Sequence, residues 1–424
     1  KRFPNMNRLS QINTQFQGES TSNFQYGKVG PKSDDDVVIV SVARTAMTKA
    51  KKGLQKNTAP EIMLKHVLVD VLKKANNFDA AKVEEICIGN VLQPGAGFGT
   101  SRMAQFMAGI PHTVPLFSVN RLCSSGLQAT STIASQIKSG QIECGIGGGV
   151  ESMSLYDMNN MISPDTLADQ VFEHDEAQKC LMGMGQTSDN VAEKFNISRQ
   201  KQDQMAVESH AKASAAEKAG WKADEITVYK TMITDKEGNE KEILVNRDDG
   251  VRPQTTMESL GKLKGAFKKG GSTTAGNSSQ VTDGAAVIFM AKRSFAIKNN
   301  LPIMGRMLSF ASAGVPPEIM GIGPVAAIPK ALKLTGMTVK DVDVWEVNEA
   351  FGSQATYSVE TLKIPKEKLN RRGGAIALGH PLGMTGARMI VTLFSELKRT
   401  NEKFGVVSMC IGMGMGAAGV FERE

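Results

Sequence analysis

Two cysteines and one histidine of this 424-residue chain lie in segments rich in glycine and serine, where a substrate could reach a reactive side chain. Cys123 lies in Asn120-Arg-Leu-Cys-Ser-Ser-Gly126, His380 in Gly379-His-Pro-Leu-Gly383, and Cys410 in Ser408-Met-Cys-Ile-Gly412. A thiol becomes a nucleophile when an imidazole removes its proton, and this pair alone also fits a cysteine protease. A second thiol adds an acid for a carbanion in one step and a base for an incoming thiol in the next. The three residues together predict acyl transfer.

Cys123 and His380 are each predicted at the start of a helix. Small residues follow Cys123, and a helix start with unpaired amides favours a thiolate, so we expect the pKa of Cys123 to lie below its usual value of about 8.5. Around His380, Pro381 fixes the backbone and the flanking glycines permit an irregular loop that presents the ring. Neither residue belongs to a Cys or His pair with the spacing of metal ligands, so no metal site is predicted.

Strands and helices alternate around these residues, which is typical of a sheet covered by helices on both faces. The pattern predicts strands at 37–42, 85–91, 117–120 and 404–409, and helices at 59–74, 127–138 and 386–398.

One unit of this pattern occurs twice. The segments 83–90 and 342–349 each form the strand after a helix, and they lie about 260 residues apart, as do Cys123 and His380. The second copy ends in Asn348-Glu-Ala-Phe351, where an asparagine can orient a water molecule or cap a turn. The repeat predicts two similar halves that share one site.

The stretch between the repeats is highly charged, with a helical region at 190–219 and a hairpin near 235–239. We therefore predict four parts: a polar N-terminal arm (1–35), a first core half (36–154 plus 272–305), an inserted lobe (155–271), and a second core half (306–424).

The composition narrows the class of protein. The net charge of +7 is spread over mixed-sign segments and only 5% of residues are aromatic, so a nucleic-acid partner is not expected. No run of about 18 apolar residues suggests a membrane span, and five cysteines without a framework spacing indicate reduced thiols. The glycines at 412, 414 and 416 match neither a phosphate loop nor a dinucleotide fingerprint.

These motifs, in this order, resemble the thiolase family, and most closely its degradative 3-ketoacyl-CoA branch. The resemblance covers the chain from Asp36 onward and includes Gly314-Val-Pro-Pro-Glu-Ile-Met-Gly-Ile-Gly-Pro324. It implies an α/β fold of duplicated αβαβα layered halves with an inserted loop domain. It also implies thiolytic cleavage of 3-ketoacyl-CoA to acetyl-CoA and a shortened acyl-CoA, as in fatty acid β-oxidation, with CoA as a substrate and no other cofactor.

The resemblance also implies residue roles. Cys123 would attack the keto carbon, His380 would take its proton, and Cys410 would protonate the departing enolate and later deprotonate CoA. Asn348, through a water molecule, and His380 would form one oxyanion hole, and the amides of Cys123 and Gly412 would form a second. The CoA-binding residues carried over from the family are Arg252, Ser259, Ser279, Met184 and Phe351.

Three residues depart from the family pattern near the expected pocket, which leaves the acyl chain length open. Met413 replaces a small or hydroxyl residue, Met384 replaces Cys or Ala, and Gly183 replaces Pro. Two other functions are compatible with the sequence. One is a biosynthetic acetoacetyl-CoA thiolase that runs the condensation; the other is an acyl-CoA or lipid carrier without turnover.

The N-terminal arm predicts a location. Arg8-Leu9 and Gln15-Phe16, five residues apart, resemble the amino-terminal peroxisomal import signal, although its last position is usually Leu or Ala. We expect a peroxisomal enzyme whose arm binds the import receptor, with the mitochondrial matrix as the alternative. Thiolases associate through the first half, so a homodimer is expected.

Overall fold

The structure, a computed structural model, describes residues 25–424. The arm residues Arg8, Leu9, Gln15 and Phe16 therefore lie outside the described residues. Within 25–424, no helix combines the length and the apolar character needed to cross a membrane.

The elements before the insertion alternate as the sequence predicts. They are β1 (Val37–Arg44), β2 (Thr48–Lys49), α1 (Pro60–Lys74), β3 (Ile86–Gly89), α2 (Phe98–Met107), β4 (Leu116–Val119), α3 (Ser125–Lys138) and β5 (Cys144–Ser152).

The insertion combines helices with a two-stranded sheet. Its elements are α4 (Gln170–Glu173), α5 (Asp175–Lys179), α6 (Met184–Lys194), α7 (Arg199–Lys218), β6 (Tyr229–Thr234), β7 (Glu240–Val245) and α8 (Met257–Gly261).

The chain then re-enters the core and builds the second half. The elements are β8 (Thr282–Lys292), α9 (Arg293–Lys298), β9 (Gly305–Gly314), α10 (Gly323–Thr335), β10 (Val344–Val347), α11 (Gly352–Leu362), α12 (Ala375–Leu378), α13 (Leu382–Thr400), β11 (Phe404–Ile411) and β12 (Met415–Arg423).

The main sheet shows the duplication directly. Its order is β10-β11-β12-β9-β1-β8-β5-β3-β4, with β2 paired to β8 off this path. In the first half β3 runs parallel to β5, while β5–β8 and β8–β1 are antiparallel. The second half repeats this with β10, β11, β12 and β9. The predicted α/β fold of duplicated halves is confirmed, whereas the four domain boundaries stay predictions.

The helices cover both faces of these strands. Helix α13 packs against α3 and against strands of both halves, so these two helices form a central layer. Helix α1 packs on β1 and β8, and α10 packs on β9 and β12. Strand β1 and nearly all of α13 are buried, as their apolar runs require. Because Cys123 and His380 directly precede α3 and α13, this central layer positions both.

Corresponding strand pairs of the two halves can be aligned by their register. Gly89 pairs with Gly149 in the first half, and Val347 pairs with Ser408 in the second. These are the last pairs of the two parallel ladders, and when they are aligned Asn90 corresponds to Asn348 and Glu151 to Cys410.

One predicted element differs. The helical region at 190–219 is two helices, α6 and α7, because Asn196 adopts a left-handed backbone (φ 56°) and the Ser198 side chain then caps the start of α7. The predicted hairpin is present, with Asp235 in the turn between β6 and β7.

Candidate active site

The Cys123 turn is held in an unusual backbone shape by its own serines. Leu122 adopts a left-handed conformation (φ 46°), which is uncommon for a branched residue and marks a strained turn. The Ser125 hydroxyl donates to the Leu122 carbonyl (2.7 Å) and accepts from the Arg121 amide (2.9 Å). The Ser124 hydroxyl donates to the Arg121 carbonyl (3.1 Å). The two serines therefore fix the turn that presents Cys123, a half-buried residue.

The predicted lowering of the Cys123 pKa is wrong. Burial raises the pKa of this thiol to about 11, and the nearby carboxylate of Glu151 adds to the rise. The amides of Gly412 and of Cys123 itself donate to the sulfur and act in the opposite direction, but they are the weaker influence. Desolvation outweighs the helix start here, so Cys123 rests as a neutral thiol.

His380 is held as a neutral imidazole with a defined tautomer. The Thr385 hydroxyl donates to the Pro381 carbonyl (3.0 Å), so its oxygen accepts from Nδ1–H of His380 (2.6 Å). That arrangement leaves Nε2 as the basic nitrogen, 3.4 Å from Nδ2 of Asn348. Burial, with a smaller effect of the Arg388 charge, lowers the pKa of His380 to about 3.

Asn348 is fixed beside this nitrogen. Its amide N–H donates to the Ser408 carbonyl (2.9 Å), which ties it to the strand that carries Cys410. Its side-chain Oδ1 is buried and has no hydrogen-bond partner among residues 25–424. The Asn348 side chain thus directs its NH2 group at His380 and leaves its oxygen free, so it can hold a water molecule or a substrate group.

Cys410 lies at the end of β11 and is fully buried. Burial, and after it the neighbouring Cys123 sulfur, raises the pKa of Cys410 far above its usual range. The two sulfurs are thus neighbours, and Cys410 rests protonated, as an acid requires. Gly412, two residues on, directs its amide at the Cys123 sulfur.

The His380 loop lies against the Cys123 helix. A Cβ atom on Gly126 would come within 2.6 Å of the Gly383 carbonyl, and one on Gly386 within 2.5 Å of the Leu127 amide nitrogen. The starts of α3 and α13 can meet this closely only because both positions lack side chains. The structure therefore brings four predicted catalytic side chains and the Gly412 amide into one region.

The predicted CoA residues divide into two groups. Met184 and Phe351 share an apolar cluster with Met320, Ala350 and Cys410, so they line the approach to the second thiol. The Ser279 amide donates to the Ala350 carbonyl (2.9 Å), which places Ser279 beside the same cluster.

Arg252 and Ser259 lie on the exposed surface of the inserted lobe. The Arg252 amide donates to Nδ1 of the buried His210 (3.1 Å), which leaves the guanidinium outside. The Ser259 hydroxyl accepts from the Thr256 amide (3.1 Å) in a capping box, so it has a structural role whatever else it contacts.

The three residues that depart from the family pattern lie in different environments. Met413 is half-buried with a left-handed backbone (φ 61°), inside the loop after Cys410. Gly183 is exposed and precedes α6. Met384, expected near the pocket, is fully buried in the main core with its sulfur against Gly284, because the first turn of α13 points it inward.

Two polar residues of the site were missed from the sequence. Thr385 follows His380 by five residues, on the first turn of α13, and its proximity in sequence could have suggested the contact. Glu151 is the last residue but one of the apolar strand β5, and an acid after a run of buried glycines was the available signal. No group of three or more His, Cys, Asp or Glu residues within 25–424 is arranged to hold a metal ion.

Family models and known proteins match the chain over most of its length. The model of the thiolase N-terminal domain matches residues 37–294, and that of the thiolase C-terminal domain matches residues 301–423. The human peroxisomal 3-ketoacyl-CoA thiolase is 54% identical over 388 residues, covering 91% of each chain. The Yarrowia lipolytica peroxisomal 3-ketoacyl-CoA thiolase is 48% identical over 419 residues, covering 99% of this chain and 100% of its own.

A solved structure agrees with the fold. The dimeric peroxisomal thiolase of Saccharomyces cerevisiae superposes with a TM-score of 0.85 at 45% identity, covering 93% of this chain and 99% of that one.

Proposed function

The chain belongs to the thiolase family, and we propose that it cleaves 3-ketoacyl-CoA by thiolysis, with Cys123 carrying the acyl group between two half-reactions. The activity is that of an acetyl-CoA C-acyltransferase of fatty acid β-oxidation, and the location is the peroxisome. The observation that supports these residue roles best is the pairing of two neighbouring protonated thiols with a neutral imidazole whose Nε2 is unprotonated.

The first half-reaction forms an acyl-enzyme. Nε2 of His380 takes the Cys123 proton as the sulfur attacks the keto carbon of the substrate. The bond between C2 and C3 then breaks, and the enolate of acetyl-CoA takes its proton from the Cys410 thiol. The amides of Gly412 and Cys123 already converge on the sulfur, so they are placed to stabilise charge on an adjacent thioester oxygen.

The second half-reaction returns the enzyme to its starting state. The Cys410 thiolate removes the thiol proton of CoA, and the CoA sulfur attacks the thioester on Cys123. The Cys123 sulfur leaves and regains its proton from His380. Asn348, whose buried free oxygen can hold a water molecule that donates a hydrogen bond, and His380 would stabilise the enolate oxygen of the acetyl-CoA that leaves in the first half-reaction.

CoA would bind between the inserted lobe and the core. Its pantetheine arm would follow Met184, Phe351 and Ser279 toward Cys410, since those residues share a cluster or a hydrogen bond. Its charged end would reach the exposed Arg252 and the neighbouring Ser259. CoA acts as a substrate, and no other cofactor is needed for this chemistry.

The subunits would form a homodimer through the first half. Strand β4 is the outer strand of its half of the sheet, so its free edge can pair with another chain. Helix α2, which packs on β4, exposes large apolar side chains, namely Phe98, Met103, Phe106 and Met107. A monomeric mass in light scattering would contradict this arrangement.

The arm at 1–35 would deliver the enzyme to the peroxisome by binding the import receptor. Fusing these residues to a fluorescent protein tests the proposal, with an Arg8→Glu fusion as the control. We expect punctate peroxisomal fluorescence from the first fusion and diffuse fluorescence from the second. Equal diffuse signal from both would contradict the role of the arm.

A mass measurement tests the acyl-enzyme. Incubation with 3-ketooctanoyl-CoA without CoA should release acetyl-CoA and add one hexanoyl group to Cys123, and added CoA should then discharge it. Cys123→Ser should abolish the adduct, whereas the matched control Cys180→Ser, in the inserted lobe, should retain it. Absence of both adduct and acetyl-CoA from the unmodified chain would refute the proposed function.

A further inference from the structure

The His380 loop is seated on the first half with no room for side chains. A Cβ atom on Gly383 would meet the Asn90 Cα (2.9 Å), the Gly89 carbonyl (2.9 Å) and the Val150 carbonyl (3.0 Å). Backbone therefore lies on backbone where the two halves meet. Hydrogen bonds can fix the register of such a contact.

One buried carboxylate supplies those hydrogen bonds. Glu151 accepts from the amides of Val91 (3.1 Å) and Leu92 (3.2 Å) and from Nδ2 of Asn90 (3.1 Å), all in the first half. It also accepts from the amide of Gly383 (2.9 Å), in the second half. Glu151 is fully buried, and burial raises its pKa to about 7, while the hydrogen bonds from its four N–H donors act in the opposite direction.

The same carboxylate is linked to the Cys123 side of the site. Asn120, three residues before Cys123, donates its side-chain amide to the Val91 carbonyl (3.2 Å). Val91 and Cys123 also lie in one apolar cluster. The residue that holds Gly383 thus holds the segment against which the Cys123 turn rests.

The position of Glu151 in the first half has an equivalent in the second half, and the residue there takes part in the proposed reaction. By strand register, Glu151 and Asn90 correspond to Cys410 and Asn348 in the second half. In the second half that pair faces the reacting atoms. In the first half the pair is joined by a hydrogen bond and faces the start of α13.

We infer that Glu151 is a positioning residue for the thiolase reaction: its carboxylate fixes the His380 loop against the Cys123 turn, so that base and nucleophile keep their alignment. The inference rests on the proposed function, since alignment matters only if His380 and Cys123 react together. A misplacement of about 1 Å can cost on the order of 10²-fold in rate. None of the four hydrogen-bond partners of Glu151 is among the proposed CoA-binding residues, so its replacement should leave CoA binding nearly unchanged.

The test compares Glu151→Gln with Glu143→Gln, an exposed carboxylate just before the same strand. Steady-state thiolysis of 3-ketooctanoyl-CoA gives kcat and the KM for CoA, and rapid quenching with mass analysis gives the rate of acyl-enzyme formation. In Glu151→Gln we expect kcat and acylation to fall by about 10²-fold together, with the KM for CoA within threefold of the unmodified enzyme. Glu143→Gln should match the unmodified enzyme.

A second variant keeps the test decisive if Glu151→Gln does not fold. Glu151→Asp keeps the charge but is one methylene shorter, so it cannot hold Gly383 and the first half at once; a folded Asp variant should also lose kcat with its KM for CoA retained. Full activity in either folded variant, or parallel loss of kcat and CoA affinity, would overturn the inference. Insolubility of both variants would overturn it too, since Glu151 would then hold the fold rather than the site. Inactivity of the unmodified enzyme would instead refute the proposed function.

Discussion

The tautomer of His380 depends on one hydroxyl, and replacing Thr385 with valine tests that dependence. The hydroxyl lies 2.6 Å from Nδ1 and directs its own proton to the Pro381 carbonyl. Valine has nearly the same shape but leaves Nδ1–H buried without an acceptor, which typically costs about 1–3 kcal/mol. The ring can avoid that cost only by moving or by placing its proton on Nε2, and either change removes the base from the reaction.

The expected loss follows from that free energy. At about 1.4 kcal/mol for each tenfold change, the kcat of Thr385→Val should fall by about 5- to 150-fold. The KM for CoA should stay near its normal value, because Thr385 is buried under His380 and not in the inserted lobe. Thr385→Ser keeps the hydroxyl and should restore most of the rate.

Thr392→Val is the matched control for this experiment. Thr392 lies on the same helix and is also buried, but its hydroxyl donates to Glu225 rather than to the site. It should lower the melting temperature as much as Thr385→Val while leaving kcat nearly unchanged. Normal kcat in Thr385→Val, or equal loss of kcat in both valine variants, would refute the assignment of Nε2 as the base.

Three further predictions address binding, packing and pH. Arg252→Gln should raise the KM for CoA several-fold with kcat unchanged, because it would remove one contact with the charged end of CoA. The control Arg247→Gln, at another exposed arginine, should leave the KM unchanged. Equal KM values for the two variants in steady-state assays would contradict the contact. Gly149→Ala should unfold or strongly destabilise the enzyme, because its Cβ would overlap the Gly383 carbonyl oxygen of the His380 loop. Gly99→Ala has open space around its Cβ, so it should be neutral or slightly stabilising in thermal melts. Burial raises the pKa of Glu346 to about 8, so the protonated side chain stabilises the fold fully below about pH 4.5 and loses this effect as the pH rises through 8. Between pH 5 and 8.5 the melting temperature should therefore fall less in Glu346→Gln than in the unmodified enzyme. The same fall in both proteins would contradict the shift.

The duplicated fold could be predicted because its signal is local. The apolar strand β1, the repeat around Trp345 and the glycines near His380 and Cys410 each specify an element or a turn from neighbouring residues. The break between α6 and α7 was less visible, because it depends on the backbone angle of Asn196. Element ends differ by a few residues wherever a cap, and not the apolar pattern, decides them.

The electrostatics of the site could not be predicted in the same way. A helix start favours a thiolate, and that rule predicted a low pKa for Cys123. The opposite result arises because the folded chain buries the turn and places Glu151 near it, and the amide of Gly412 offsets these effects only in part. The contact between Glu151 and Gly383 is equally invisible in sequence, since 232 positions separate them.

The resting site therefore holds two neutral partners, and this limits how the reaction can begin. Burial raises the pKa of the Cys123 thiol and lowers the pKa of the His380 imidazole, so both effects oppose transfer of the proton from sulfur to nitrogen. Both shifts therefore favour the neutral thiol and imidazole before substrate arrives, and they favour proton transfer that accompanies attack on the keto carbon. Such a concerted step tolerates little misalignment, which explains why the short loop around His380 is held at both ends. Glu349 accepts from the Ile376 amide before the histidine (3.3 Å), and Glu151 accepts from the Gly383 amide after it (2.9 Å).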